Sequence, residues 1–254
     1  MGGSVAYDFS GQRVLVTGAS SGIGLAVARA FAEAGADLVV LADTDAIHDA
    51  AAQLPGRAQA VQCDISDAQA VTGALAGVGT LDVLVNNAGL ERPTPLGTGP
   101  DPTFERILAV NVTGTRNVTD ALARRIAPGG SVILTASIWS RIAVPEFSAY
   151  VASKHATLGL MRTWAHELGP RGVRVNAVCP GWVRTGPAMN SLRAMARSLG
   201  RSEADVEAEL SSAQVLPGLM DPVDIAGTYL FLASTGAANI TGQAITVDRG
   251  EVMA

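Results

Sequence analysis

The stretch RVLVTGASSGIG, residues 13–24, decides the fold. Arg13 to Thr17 is a short apolar run with strand character. From Ile23 the apolar residues recur at helical spacing as far as Ala34, and Gly35 ends the run. Between the two lies a turn with glycines at 18, 22 and 24. Such glycines permit a tight turn, bring backbone N–H groups close to a pyrophosphate, and let helix and strand pack closely. The following helix points its positive end at the anion. A glycine-rich turn alone is a weak signal, and its place between a strand and a helix is what strengthens it.

Outward from this turn the same alternation continues. Strands are expected at Asp37 to Ala42, Ala58 to Cys63, Leu81 to Val85, Ser131 to Thr135, Val173 to Val178 and Ala244 to Val247. Helices are expected at about Asp45 to Gln53, Ala68 to Ala76, Thr103 to Arg124, Ala149 to Leu168, and from Asp221 to about Ala233. Nearly continuous apolar strands alternating with helices imply a parallel sheet covered on both faces. The expected architecture is one doubly wound α/β domain, residues 1–254, of about seven strands. About Gly186 to Leu216 has helical propensity, no strand, and many Arg, Ser and Met residues, and reads as a lid over the site.

Composition narrows the function classes. The 254 residues are 48% apolar, enough for a sizeable core and too many for a disordered chain. A net charge of −5 argues against a nucleic-acid or anionic-membrane surface. No apolar stretch reaches the roughly 18 residues of a spanning helix, and Met1 to Asp8 lacks the pattern of a signal peptide. The two cysteines, Cys63 and Cys179, read as buried free thiols in a reducing cytoplasm, and neither has metal-ligand spacing, so no metal site is expected.

The chemistry-bearing residues stand at strand ends and on one helix. Asp43 follows the second strand, where a carboxylate would accept hydrogen bonds from ribose hydroxyls and repel a 2′-phosphate. At about 4 Å that repulsion is roughly 1 kcal/mol per charge in water and about 4 at an effective dielectric of 20. With Ser21 before Gly22 and no basic residue close after Asp43, the expected cofactor is NAD rather than NADP. Of 18 Lys plus Arg, one is lysine, Lys154. It lies four residues after Tyr150, on the same face of one helix. A nearby ammonium stabilises a phenolate, so Tyr150 is expected as the acid/base group. Ser137 follows the strand at Ser131 to Thr135 and is placed to donate to a developing alkoxide.

The turn at 17–24, Asn86-Asn87-Ala88-Gly89 and Tyr150-x-x-x-Lys154, together with Ser137, Val110-Asn111-Val112, Pro180-Gly181 and Ile240-Thr241-Gly242-Gln243, resemble the short-chain dehydrogenase/reductase family over nearly the whole chain. The resemblance implies a Rossmann-like fold and a catalytic set of Asn111, Ser137, Tyr150 and Lys154. It implies cofactor contacts from Gly18, Ser20, Ser21, Gly22, Ile23, Gly24, Asp43, Asp64 (adenine edge), Asn87, Ala88, Gly89, Tyr150 and Lys154. Pro180, Val183 and Thr185 would hold the nicotinamide carboxamide. Lys154 would also hold the nicotinamide ribose, and Asn111 would position a water in a proton relay.

The expected activity is NAD-dependent interconversion of a secondary alcohol and its ketone, with polyols, sugars or hydroxy acids favoured. The alternatives are a reductase of 3-oxoacyl thioesters or other ketones and, more remotely, a non-catalytic dinucleotide sensor. Substrate contacts are expected from Ser137, Trp139, Phe147 and Trp182, with Ile138, Val144, Met189 and Leu192 as further wall candidates. Glu146 is a candidate partner for a substrate hydroxyl, and Arg92 and Arg141 for a carboxylate. The partner is a small-molecule alcohol or ketone, with no nucleic acid or membrane. The resemblance suggests a homotetramer that uses the apolar segment from Phe231 to Val247.

Overall fold

The computed structural model describes residues 5–253. The strands are β1 (Arg13–Thr17), β2 (Asp37–Ala42), β3 (Ala58–Gln62), β4 (Leu81–Asn86), β5 (Ile126–Thr135), β6 (Arg174–Pro180) and β7 (Ala244–Val247). The helices are α1 (Gly22–Glu33), α2 (Ala46–Ala52), α3 (Ala68–Ala74), α4 (Pro102–Leu108), α5 (Thr115–Leu122), α6 (Ser148–Leu168), α7 (Gly186–Leu199), α8 (Glu203–Ser212) and α9 (Pro222–Ala233). All seven strands are parallel, in the order β3-β2-β1-β4-β5-β6-β7. This is the expected doubly wound Rossmann-like sheet. Its order reverses between β1 and β4, which opens a crevice at their carboxyl ends.

Alternate side chains of each strand enter opposite cores, as the period of two requires. Leu15, Val39 and Leu84 join the core beneath α5 and α6, with Val118, Leu122, Leu158 and Met161. Val14, Val16, Val40 and Val85 join the core beneath α1 and α9, with Val27, Phe31, Tyr229 and Leu230. A third apolar cluster brings Ile138, Trp139, Phe147 and Trp182 against Leu192 and Ala196 of α7 and Val206 of α8. Thus the segment expected as a lid consists of two helices seated on the aromatic residues beside the crevice.

Several element ends shift by one or two residues, β6 for example running Arg174–Pro180, and two segments differ by more. The single helix expected from Thr103 to Arg124 is broken into α4, a π-helical stretch at Ala109–Gly114, α5 and a short 3-10 turn at Ala123–Arg125. Packing explains the break. The Asn111 side chain is drawn out to Leu90 by two hydrogen bonds. Gly114 lies so close to Ile65 that an added Cβ would stand 2.6 Å from Ile65 Cγ1. A π-bulge widens the turn to satisfy both constraints. Strand β5 begins earlier than expected: Ile126 pairs with Leu81, and the register slips before Ser131 pairs with Val83. Gly129, at φ 82°, lies in that slip.

Candidate active site

The β1–α1 turn is built for close approach. Gly18 has φ +66°, and a Cβ there would stand 2.7 Å from Ala88 Cα in the turn after β4. A Cβ at Gly24 would lie 2.1 Å from the Gly18 carbonyl oxygen. Gly24 therefore serves packing and does not line the crevice, contrary to its expected cofactor contact. Thr17 ties the two turns together, its Oγ1 accepting from Asn87 N and Ala88 N, each at 3.0 Å. Asn87 Nδ2 returns a bond to the Thr17 carbonyl at 3.1 Å.

Residues of this turn and of the β4 turn, Gly18, Ser20 to Ile23 and Asn87 to Gly89, line one long cleft. The N-terminus of α1 opens into it with no side-chain cap from Ser21 and no acidic residue in its first turn. That end is electrostatically suited to phosphate. Asp43, exposed, lines the cleft at the end of β2. A dinucleotide fits this arrangement: an uncapped helix end for the pyrophosphate, a glycine cradle no Cβ could share, and a carboxylate where hydroxyls would lie.

Asp64 lines the same cleft but is already engaged. Its Oδ1 accepts from Ser66 N at 2.9 Å and Ser66 Oγ at 2.7 Å, and its Oδ2 pairs with Arg106 Nη2 at 2.8 Å. Burial pushes this carboxyl up, and the bonds from Ser66 and Arg106 outweigh it and hold it below the usual carboxylate range. Arg106, from α4, also lines the cleft and was not legible in the sequence, because nothing local links it to a residue 42 positions earlier.

Tyr150 stands where this cleft meets a second, smaller pocket, and Lys154, one turn on along α6, lines the cleft. The second pocket is walled by Ser137, Ile138, Trp139, Pro180, Trp182, Val183 and Thr185. Trp139 packs edge-on against Tyr150 at 5.7 Å between ring centroids and against Trp182 at 5.8 Å. Ser137 is buried beside Tyr150; its hydroxyl bonds toward the phenol and also accepts from Trp139 N at 3.1 Å.

The expected lowering of the Tyr150 phenol is not what the geometry produces. Burial and the Glu91 carboxyl push it well above its ordinary value, against a smaller lowering from Ser137. Lys154 Nζ lies over the Tyr150 ring, 5.4 Å from its centroid, and donates to the Thr135 carbonyl at 2.7 Å. Burial lowers the Lys154 ammonium to about 8, partly offset by the charge of Glu91.

Several expected residues lie elsewhere. Asn111 is buried and off the cleft lining; its Oδ1 accepts from Leu90 N at 2.7 Å and its Nδ2 donates to Leu90 O and Ser153 Oγ, each at 2.9 Å. Its side chain thus braces the segment after Gly89. Phe147 is fully buried behind Trp139, 5.0 Å between centroids, and does not reach the pocket. Leu192 is likewise enclosed, and Val144 and Met189 pack beside that cluster without lining the pocket. Glu146 adopts a left-handed φ of 67° and accepts from Ser198 Oγ of α7 at 2.8 Å, so it holds the helical cover rather than facing a substrate. Arg141 donates to the Ala244 carbonyl at 2.8 Å, and Arg92 lines neither pocket.

Sequence reasoning missed Glu91, which lines both pockets, and the pair Thr135 and Tyr229. Tyr229 reaches from α9 to Thr135 Oγ1 at 2.8 Å, and Thr135 Oγ1 also meets Asn87 Oδ1 at 3.2 Å. Glu91 sits two residues beyond the Asn86-Asn87-Ala88-Gly89 turn, and that proximity was the one available signal. Cys63 and Cys179 are free and buried. Among the described residues no helix is long and apolar enough to cross a membrane.

This site and fold define an oxidoreductase class. Residues 18–251 match the family model described as enoyl-(acyl carrier protein) reductase, and the chain belongs to the short-chain dehydrogenase/reductase family of nicotinamide-dinucleotide enzymes. It is 36% identical over 249 residues to an uncharacterized oxidoreductase of Methylorubrum extorquens, covering 94% of this chain and 97% of that one. It is 36% identical over 253 residues to a galactitol 2-dehydrogenase (L-tagatose-forming) of Cereibacter sphaeroides, covering 96% of each. A solved short-chain dehydrogenase/reductase from Brucella melitensis, titled glucose/ribitol dehydrogenase, superposes with a TM-score of 0.88 at 27% identity, covering 98% of this chain and all of that one.

Proposed function

We propose that this chain is an NAD-dependent dehydrogenase of secondary alcohols, with polyols, sugars or hydroxy acids as its substrate class. The observation that carries this reading is the junction of the two pockets at Tyr150, with Ser137 and Lys154 beside it. One pocket suits a dinucleotide, the other a small molecule with an apolar wall and a few polar groups, and Tyr150 faces both. When bound, the oxidised dinucleotide accepts the hydride.

Tyr150 takes the proton of the alcohol in oxidation and returns one in reduction. Ser137 donates to the substrate oxygen as charge develops there. Lys154, the single lysine, supplies positive charge beside the phenol and is held in place by the Thr135 carbonyl. Asn111 contributes by bracing Leu90 and Ser153. Asp43 favours NAD over NADP, by tenfold to a thousandfold on the order-of-magnitude repulsion given above. Because cells keep NAD largely oxidised, alcohol oxidation is the working direction. We place the enzyme in the cytoplasm as a homotetramer. The half-buried edge strand β7 supports the assembly, since its outer side carries no neighbouring strand.

The test is NADH formation at 340 nm near pH 9 with NAD or NADP across polyols, sugar acids, 3-hydroxy acids and cyclic alcohols. Turnover with NAD on one class is expected. Turnover with NADP alone would overturn the role of Asp43 and favour the ketone-reductase reading.

A further inference from the structure

The helical cover is a hairpin of two helices rooted beside the site. α7 leaves from Thr185, whose side chain caps it, and the chain returns from α8 to meet the same segment at Met220. There Met220 N donates to the Trp182 carbonyl at 3.1 Å, and Arg184 N donates to the Met220 carbonyl at 2.8 Å. α7 has 14 residues, so its far end lies about 21 Å along the helix from that root. An Arg193–Glu203 ion pair at 3.6 Å ties the two helices together. Ala188 of α7 lines the second pocket, so a swing of the cover moves a wall of that pocket.

Among the described residues, two that are not glycine have positive φ: Glu146 at 67° and Arg249 at 57°. The left-handed region is unfavourable for L side chains, and neither residue has the short polar side chain with which Asn or Asp eases it. Such a conformation persists where the surroundings impose it. Both residues grip the cover, at opposite ends. Glu146 is at the far end, where its carboxylate accepts from Ser198 Oγ at 2.8 Å and its carbonyl accepts from Thr94 N at 2.5 Å. Arg249 is at the return to the root, where its carbonyl accepts from Leu216 N at 3.0 Å and its guanidinium donates to the Pro217 carbonyl at 2.8 Å.

We infer that Glu146 is the latch of the cover and Arg249 its hinge post. They are positioning residues that set how often the cover opens, and so how readily an alcohol enters, without touching alcohol or dinucleotide. The consequence for alcohol entry rests on the dehydrogenase reading above. The latch is a single exposed bond, weak enough to release in each turnover, and the hinge is gripped from two sides. Glycine occupies the left-handed region at no steric cost. Glu146→Gly therefore removes the latch and the backbone strain together, and function and stability part company. A merely structural residue would lose both.

The experiment follows amide hydrogen exchange by mass spectrometry on the NAD-bound wild type and on Glu146→Gly, Glu146→Gln, Ser198→Ala and Arg249→Gly. Thermal midpoints are measured on each, with KM and kcat for the alcohol of the panel above that turns over fastest. Glu146→Gly and Ser198→Ala should each quicken exchange in α7 and α8 by about three- to tenfold, the worth of one hydrogen bond. KM should rise by about the same factor, with kcat within about twofold. The midpoint of Glu146→Gly should equal or exceed that of the wild type. Glu146→Gln keeps an acceptor and should resemble the wild type, and Arg249→Gly should quicken exchange at residues 213–217 as well. Unchanged exchange in both Glu146→Gly and Ser198→Ala would overturn the inference, as would a joint fall of kcat and midpoint in Glu146→Gly. If no alcohol is oxidised, the dehydrogenase reading fails, and exchange in the NAD-bound proteins still decides the latch.

Discussion

At the scale of single residues, the proposed mechanism places the chemistry on Tyr150, and its surroundings would set the pH dependence. Replacing it by Phe removes one oxygen from a half-buried ring already packed against Trp139. We expect kcat to fall by about 10²–10⁴, the usual worth of a general acid/base group. Dinucleotide affinity, measured by calorimetry, should change by less than about threefold. The sign of the pH profile follows from the phenol. Burial and Glu91 hold its pKa well above the ordinary value, so the deprotonated form is scarce near neutrality and increases with pH. Alcohol oxidation should therefore rise through the range from pH 6 to 9, while ketone reduction, which uses the protonated form, stays nearly level. Initial rates in both directions check this, and a plateau in oxidation below pH 8 would contradict it. Tyr150, Lys154, Ser137 and Asp43 were legible in the sequence because their spacing along one helix, or their place at a strand end, is local information. Glu91, Arg106 and Tyr229 were not. Each acts through a partner distant in the chain, such as Arg106 with Asp64 or Tyr229 with Thr135.

At the scale of elements, the β1–α1 turn and helix α9 make separate contributions. Gly24 permits the first turn of α1 to rest on the Gly18 carbonyl, and a Cβ there has no room, because it would stand 2.1 Å from that backbone oxygen and 2.5 Å from Asn87 Nδ2. Gly24→Ala should displace the helix end, abolish measurable dinucleotide binding by fluorescence titration, and lower the thermal midpoint. Tyr229 spans from α9 to the site with its ring fully enclosed. Tyr229→Phe leaves Thr135 Oγ1 with Asn87 as its remaining side-chain partner. A stability loss of about 1–2 kcal/mol is expected by urea denaturation. Strand and helix order were readable from hydrophobic periodicity, and the ends of β2 and β7 agree with the structure residue for residue. The break at Ala109–Gly114 was not readable, since periodicity runs through it. Its causes are the tertiary contacts of Asn111 with Leu90 and of Gly114 with Ile65.

At the scale of the molecule, the fold carries a buried charge for the sake of its site. Lys154 has its ammonium lowered from 10.5 to about 8 by burial. Between those two values the unfolded chain binds a proton that the folded one has released, so stability rises as pH increases from 8 to 10.5. Below pH 8 both states are protonated and the full cost, about 3 kcal/mol, is present. Lys154→Met removes that cost. Its stability relative to the wild type should therefore be greatest near pH 7 and decline by about 3 kcal/mol by pH 10.5, as read by denaturation at each pH. A difference that stays constant with pH would show that Lys154 is not desolvated in the fold.

The sequence by itself determined the class of this protein. Period-two and period-3.6 apolar patterns are local, and they dictate strands, helices and the parallel sheet that covers both its faces. The glycine turn, Asp43 and the Tyr150–Lys154 spacing are local too, and the proposed dinucleotide chemistry rests on them. The tertiary structure alone decided how the site is tuned. It turned Lys154 to the Thr135 carbonyl, withdrew Phe147 and Glu146 from the pocket, and committed Asn111 to bracing Leu90. It also brought Glu91 to the wall that both pockets share. Desolvation and close packing depend on which distant segments meet, and one-dimensional spacing carries no record of that.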